Sequence, residues 1–171
     1  MEQGMVHLYH GDGKGKTTAA MGLALRAAGS GKRVAILQFL KDGDSHEVKM
    51  LAKLPNVTVL AGKVCSAFSW NMTPRQLQET RELHDQLLQK ALELNCDVLV
   101  LDEVCGACST NLLSMEPLQQ LLEHKPQGLE IVMTGRNPQP CLLERADYIT
   151  EMVKRKHPFD KGVAAREGIE Y

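Results

Sequence analysis

The sequence predicts a three-layer α/β domain with a mainly parallel central sheet. Three observations carry this. Short apolar runs alternate along the chain with helix-forming stretches, the order that builds parallel sheets. A glycine-rich loop joins the first such run to the first helix. Further on, Val98-Leu99-Val100-Leu101 is wholly apolar and ends in Asp102-Glu103. A continuous apolar run marks a strand covered on both faces. Sheets of that kind bind ligands at the carboxyl ends of their strands.

The elements follow in order. Met5-Val6-His7-Leu8-Tyr9 alternates like a strand. The loop Gly11-Asp12-Gly13-Lys14-Gly15-Lys16-Thr17-Thr18 comes next, and Thr18 to Ala28 is rich in helix formers. Gly29-Ser30-Gly31-Lys32 caps that helix and turns the chain. Arg33 to Phe39 reads as a buried strand, and Leu40-Lys41-Asp42-Gly43-Asp44 as a polar loop. A short helix over His46 to Leu54 stops at Pro55, before a third strand at Val57 to Leu60.

A loop from Ala61 to Met72 holds Phe68 and the single tryptophan, Trp70. Thr73-Pro74-Arg75-Gln76 opens a long helix with a capping box and proline at its first position. Leu77, His84, Leu87, Leu88, Ala91 and Leu92 give it an apolar stripe, and it ends near Asn95. After the acidic strand come a helix over Ser114 to His124 and a strand over Leu129 to Thr134 that runs into Gly135-Arg136. A short helix spans Pro140 to Ala146, and a last strand spans Tyr148 to Val153.

The loop has the physical form of a phosphate cradle. Its glycines let backbone N–H groups curl around an anion, and the following helix adds free donors and a positive dipole end. Lys16 supplies charge, and the Thr17 hydroxyl can ligate Mg²⁺. The common pattern sets four residues between its first glycine and Gly-Lys-[Ser/Thr]. Counting back from Gly15 reaches His10, so Gly11 comes one residue late and the loop is shortened. A plain glycine turn is the bland alternative. Asp102 and Glu103 fit a Mg²⁺ and water-positioning pair serving this loop, or else cap a turn. Arg136 also stands at a strand's carboxyl end, where it can meet phosphate or pair with a structural carboxylate.

Composition bounds the rest. With 171 residues, 43% hydrophobic and 24% charged, residues 1–171 read as a single globular domain with a polar tail over 154–171. A net charge of −1 with scattered basic residues excludes a nucleic-acid binder held by bulk electrostatics. No apolar run approaches the length that spans a bilayer. Five cysteines and no leader-like start argue for free thiols and a cytoplasmic location. Cys105-Gly106-Ala107-Cys108 has the form of a redox motif but lacks a second pair for zinc, and reads as two small buried residues. Among the histidines, His10 and His157 lie where a site could use them.

Together these residues resemble the ATP:cob(I)alamin (corrinoid) adenosyltransferases with a phosphate loop. The resemblance covers nearly the whole chain. It rests on the short loop running on to Ala20, then Arg26, Gln38-Phe39, Phe68-Ser69-Trp70, Leu101-Asp102-Glu103, Thr134-Gly135-Arg136, Lys156-His157-Pro158-Phe159-Asp160-Lys161-Gly162 and Gly168-Ile169-Glu170-Tyr171. It implies a P-loop NTPase-like (RecA-like) fold. It also implies transfer of the 5′-deoxyadenosyl group of ATP to Co(I) of a reduced corrinoid, with tripolyphosphate as the leaving group.

The family is understood to bind ATP in reversed orientation, which suits the short loop. Gly11, Asp12, Gly13, Lys14, Gly15, Lys16, Thr17, Thr18 and Arg26 are then the expected nucleotide-binding residues. Thr17, Glu103 and Asp102 are expected at Mg²⁺, and Lys16, Phe68, Trp70 and Arg136 are expected to be catalytic. The aromatic pair is thought to press on the lower corrin face and exclude the axial ligand. That lowers the orbital that accepts the electron and eases reduction of cobalt(II). From residue type alone the core reading of both aromatics would prevail, and it is the resemblance that favours the functional one.

The resemblance further implies a cobalamin or cobinamide-type substrate, an electron donor such as a reduced flavoprotein, and a homodimer. Members of the family often carry a longer charged N-terminal segment over the corrinoid; this sequence starts directly at the first strand, so the lid is expected to be absent or supplied by the tail or a partner subunit. The loop alone also allows an ATP-dependent kinase or ATPase. A non-catalytic corrinoid carrier is the third reading.

Overall fold

In a computed structural model the chain is described over residues 3–63 and 69–170. Its strands are β1 (Val6–His10), β2 (Val34–Gln38), β3 (Val57–Ala61), β4 (Val98–Asp102), β5 (Glu130–Gly135) and β6 (Tyr148–Glu151). They form one six-stranded sheet in the order β3-β2-β4-β5-β1-β6. Every neighbouring pair is parallel, so the expected mainly parallel sheet is wholly parallel. The helices are α1 (Lys16–Gly29), α2 (His46–Leu51), α3 (Pro74–Glu93), α4 (Val104–Ser109), α5 (Met115–Glu123) and α6 (Pro140–Arg145).

Strand periodicity sorts the core into two layers. Val34 and Ile36 of β2, Val98 and Val100 of β4, and Val132 of β5 pack against Ala20, Met21, Ala24, Ala27 and Ala28 of α1 and against α2. The small alanine face of α1 lets its axis approach the β-branched strand surface closely. The alternate residues, among them Ala35, Leu37, Leu99, Leu101, Ile131 and Met133, face Leu87, Leu88 and Ala91 of α3 and residues of α4, α5 and α6.

Helix α3 starts as its sequence dictates. The Gln76 amide donates to Thr73 Oγ1 at 3.3 Å, and the Thr73 amide donates back to Gln76 Oε1 at 2.9 Å. Its buried stripe is Thr80, His84, Leu87, Leu88 and Ala91. Leu92, expected on that stripe, is 36% exposed and lies off it. The helix ends at Glu93 and β6 ends at Glu151, short of the expected Asn95 and Val153.

Register fixes the functional edge. Gln38 pairs with Asp102 across β2 and β4, and His10 pairs with Gly135 across β1 and β5. β5 therefore separates the loop-bearing strand from the strand that ends in the acidic pair. Loss of the α3 cap is a direct test of that start. Thr73→Ala should cost about 1 kcal/mol and lower the calorimetric melting temperature by roughly 2–4 °C.

Candidate active site

The segment between β1 and α1 bends where glycine permits it. Gly11 and Gly15 have φ of 109° and 115°. A Cβ on Gly11 or Gly13 would meet the Met152 carbonyl oxygen at 2.5 or 2.6 Å. The chain just past β6 thus braces the loop from behind. The Gly13 amide donates to Met152 O at 2.6 Å, and the Met152 amide donates to His10 O at 2.8 Å. Asp12 Oδ1 accepts from the Lys154 amide at 2.9 Å, and that bond holds its carboxyl below the usual range. Lys14 Nζ reaches Ile169 O at 3.1 Å, which ties the tail to the loop. Gly15 caps α1 without a side chain. The first-turn amides, which have no partner within a helix, are left for an anion.

Lys16 is 8% exposed and its Nζ donates to Gly13 O at 2.8 Å. Burial draws its ammonium pKa down, and Arg136 pushes it the same way; Glu103, Asp12 and Asp102 pull it back. A 310 Å³ cavity is lined by residues of the loop together with Glu103, Arg136, His157 and Glu170. The structure therefore brings Lys16, Thr17, Thr18, Glu103 and Arg136 together around one cavity.

Asp102 is fully buried at the end of β4. Thr17 Oγ1 and Thr134 Oγ1 donate to its Oδ1 at 2.8 and 2.7 Å. Gln38 Nε2 and Lys41 Nζ donate to its Oδ2 at 3.0 and 2.7 Å. Burial on its own raises a carboxyl pKa, but Lys41, Thr134 and Gln38 outweigh it and hold Asp102 low. Thr134 also accepts the Glu103 amide at 2.9 Å. Glu103 itself sits in the left-handed region, φ 62°, a conformation that surroundings must impose on a non-glycine residue. Burial, and then the charge of Asp102, raise the Glu103 pKa.

Gly135, φ 143°, lets β5 end against α4, since a Cβ there would lie 2.7 Å from the Cys105 Cβ. Cys105 and Cys108 are buried, and burial pushes both thiols up to about 12. Both are packing residues, the reading their type suggested.

Other expected site residues lie apart. Arg26 is exposed in the last turn of α1 and does not line the cavity around Lys16. Trp70 is 76% exposed in the short turn Ser69–Asn71, so the core reading does not hold for it. Phe68 lies outside the described residues. Sequence reasoning missed Lys41, which reads as part of a solvated loop. The signal that could have found it is its place just past the carboxyl end of β2, the same rule that singled out Arg136.

The donors suit Mg²⁺. They are hard oxygens at a polyphosphate cradle, and the buried Gln38 Oε1 has no hydrogen-bond partner, which a metal-bound water can supply. Among the described residues no cluster of three or more His, Cys, Asp or Glu side chains could hold an ion. Water, joined by phosphate oxygens when a nucleotide is bound, would complete the shell, as is usual for this ion.

This combination of loop, buried acidic strand end and parallel sheet defines a P-loop NTPase-like domain. The fold agrees with that of the ATPase domains 2 and 3 of EssC from Geobacillus thermodenitrificans, at TM-score 0.55 and 13% identity. That match covers 96% of this chain and 35% of the EssC chain. The model of the ATP:corrinoid adenosyltransferase BtuR/CobO/CobP family matches residues 2–171, and the chain belongs to that family. The corrinoid adenosyltransferase of Escherichia coli K12 is 33% identical over 99% of this chain and 87% of its own length. The Salmonella typhimurium corrinoid adenosyltransferase CobA is 32% identical with the same coverage.

Glu103→Gln tests the electrostatics. A carboxyl whose native pKa is raised costs the fold stability once the pH climbs past its ordinary value of 4.5. The variant should therefore melt higher than wild type at pH 7. The gap should close as the pH falls below that value, read by thermal melts across pH.

Proposed function

We propose that this chain transfers the 5′-deoxyadenosyl group of ATP to the Co(I) centre of a reduced corrinoid, with release of tripolyphosphate. The loop carries the reading: it is one residue short and shares a single cavity with Glu103 and Arg136. Family membership supports adenosylation of corrinoids.

In this reaction the cobalt lone pair attacks the ribose C5′. The C5′–O5′ bond breaks, and its electron pair stays on O5′ of the departing tripolyphosphate. Charge grows on the leaving group, and the protein must meet it with fixed donors. Lys16 and the first-turn amides of α1 are prearranged for this, and Arg136 lines the same cavity. Mg²⁺ held by Thr17 and Glu103, with Asp102 behind Thr17, would screen the polyphosphate charge.

Trp70 presents its ring to solvent, where a flat macrocycle can reach it. With Phe68 it would cover the lower corrin face and ease reduction by a donor such as a reduced flavoprotein. A cobalamin or cobinamide-type corrinoid is the substrate class, and a homodimer is the expected assembly. The unpaired cysteines 96, 105, 108 and 141 suit the cytoplasm. Among the described residues no helix is long and apolar enough to cross a membrane.

The test is incubation with MgATP and chemically reduced corrinoid. A light-sensitive Co–C absorbance is expected; ADP formed independently of corrinoid overturns the reading in favour of a kinase or ATPase. Lys16→Ala should lower the rate on the order of 10²–10³-fold, the loss typical of one fixed charge-stabilising donor. Trp70→Ala should slow adenosylation from cobalt(II) more than from pre-reduced Co(I), and equal losses contradict the ligand-excluding role.

A further inference from the structure

Lys41 stands at an unexpected point in this site. Its ammonium lies 2.7 Å from Asp102 Oδ2 and 3.3 Å from Thr17 Oγ1. The Thr17 hydroxyl spends its proton on Asp102, so Lys41 approaches the oxygen lone pair that a cation would use. The side chain is 32% exposed while Asp102 is 0%, so the lysine reaches inward from the rim.

The backbone behind Lys41 is built to aim it. Leu40 has φ 59°, in the left-handed region that a branched residue occupies only when held. The holder is His84 of α3, 0% exposed. Its Nδ1–H donates to Leu112 O at 2.7 Å, which leaves Nε2 unprotonated to accept the Leu40 amide at 3.3 Å. Burial lowers the His84 pKa and keeps the ring neutral in this role. Phe39 packs against that ring edge-on at 5.3 Å.

We propose that Lys41 is a resident counter-cation for the position between Thr17 and Asp102, displaced when the metal–nucleotide substrate enters, and that His84 is the residue that positions it. This rests on the metal assignment made above. A buried carboxylate without a counter-charge is costly, so a built-in ammonium keeps the empty site folded. Once displaced, the ammonium stays within side-chain reach of the incoming polyphosphate.

The experiment uses the nucleotide-free protein, residues 1–171, and Mn²⁺, with binding followed by electron paramagnetic resonance and stability by melting with and without Mg²⁺. Lys41→Met should bind Mn²⁺ at least roughly tenfold more tightly than wild type. Its melting temperature should fall without metal and recover by roughly 3 °C or more at saturating Mg²⁺. Wild type should respond little. Lys41→Arg, which keeps the charge, should stay close to wild type in Mn²⁺ affinity. His84→Phe should shift Mn²⁺ affinity the same way as Lys41→Met but less; a lower melting temperature with unchanged Mn²⁺ affinity makes His84 merely structural. Asp102→Asn is the control. If it weakens Mn²⁺ binding while Lys41→Met does not tighten it, the Lys41 proposal is wrong and the metal assignment stands. If neither variant changes Mn²⁺ binding, both are wrong.

Discussion

One buried carboxylate organises this site. Asp102 receives four donors from four separate segments: Thr17 at the start of α1, Gln38 at the end of β2, Lys41 in the following loop, and Thr134 near the end of β5. Each bond is charge-assisted and lies in a medium where an unmet charge is expensive. Removing any one of them loosens a different part of the functional edge. The same cluster sets Glu103, whose amide is held by the Thr134 hydroxyl that also serves Asp102. Glu103 is thereby held in a left-handed turn at the head of α4.

The phosphate loop is the second constraint. Its glycines answer to two demands at once. They curl the backbone for an anion, and they admit the Met152 carbonyl within contact distance. The Gly13 amide is consumed by that carbonyl. The anion must then rely on the first-turn amides of α1, on Lys16 and on Arg136. A loop braced so closely has little freedom to re-form around a different phosphate. The tail contributes too, through Lys14 and Ile169.

Much of this was legible in the sequence, for physical reasons. Val98 to Leu101 is buried on both faces, and its unbroken apolar run says so. The α3 capping box is purely local, and it formed as written. Loop, acidic pair and Arg136 follow from one rule, that parallel strands present ligands at their carboxyl ends. What escaped depends on long-range geometry. Lys41 is an ordinary loop lysine until β2 and β4 come into register and put Gln38 beside Asp102. His84 reads as one member of a helical stripe, and only the folded positions of Leu112 and the Leu40 turn give its two ring nitrogens their tasks. Arg26 shares α1 with Lys16, yet about 1.5 Å of rise per residue carries it roughly 15 Å from the loop.

The central claim is that the short loop grips a leaving tripolyphosphate rather than presenting a γ-phosphoryl group. The bond that breaks decides it. ATP carrying ¹⁸O in the bridge between C5′ and the α-phosphorus is supplied with Mg²⁺ and reduced corrinoid, and the products are analysed by mass spectrometry and ³¹P NMR. Label in tripolyphosphate, with a corrinoid carrying an unlabelled adenosyl group, is the expected result. Label kept in a nucleoside phosphate such as ADP would contradict it.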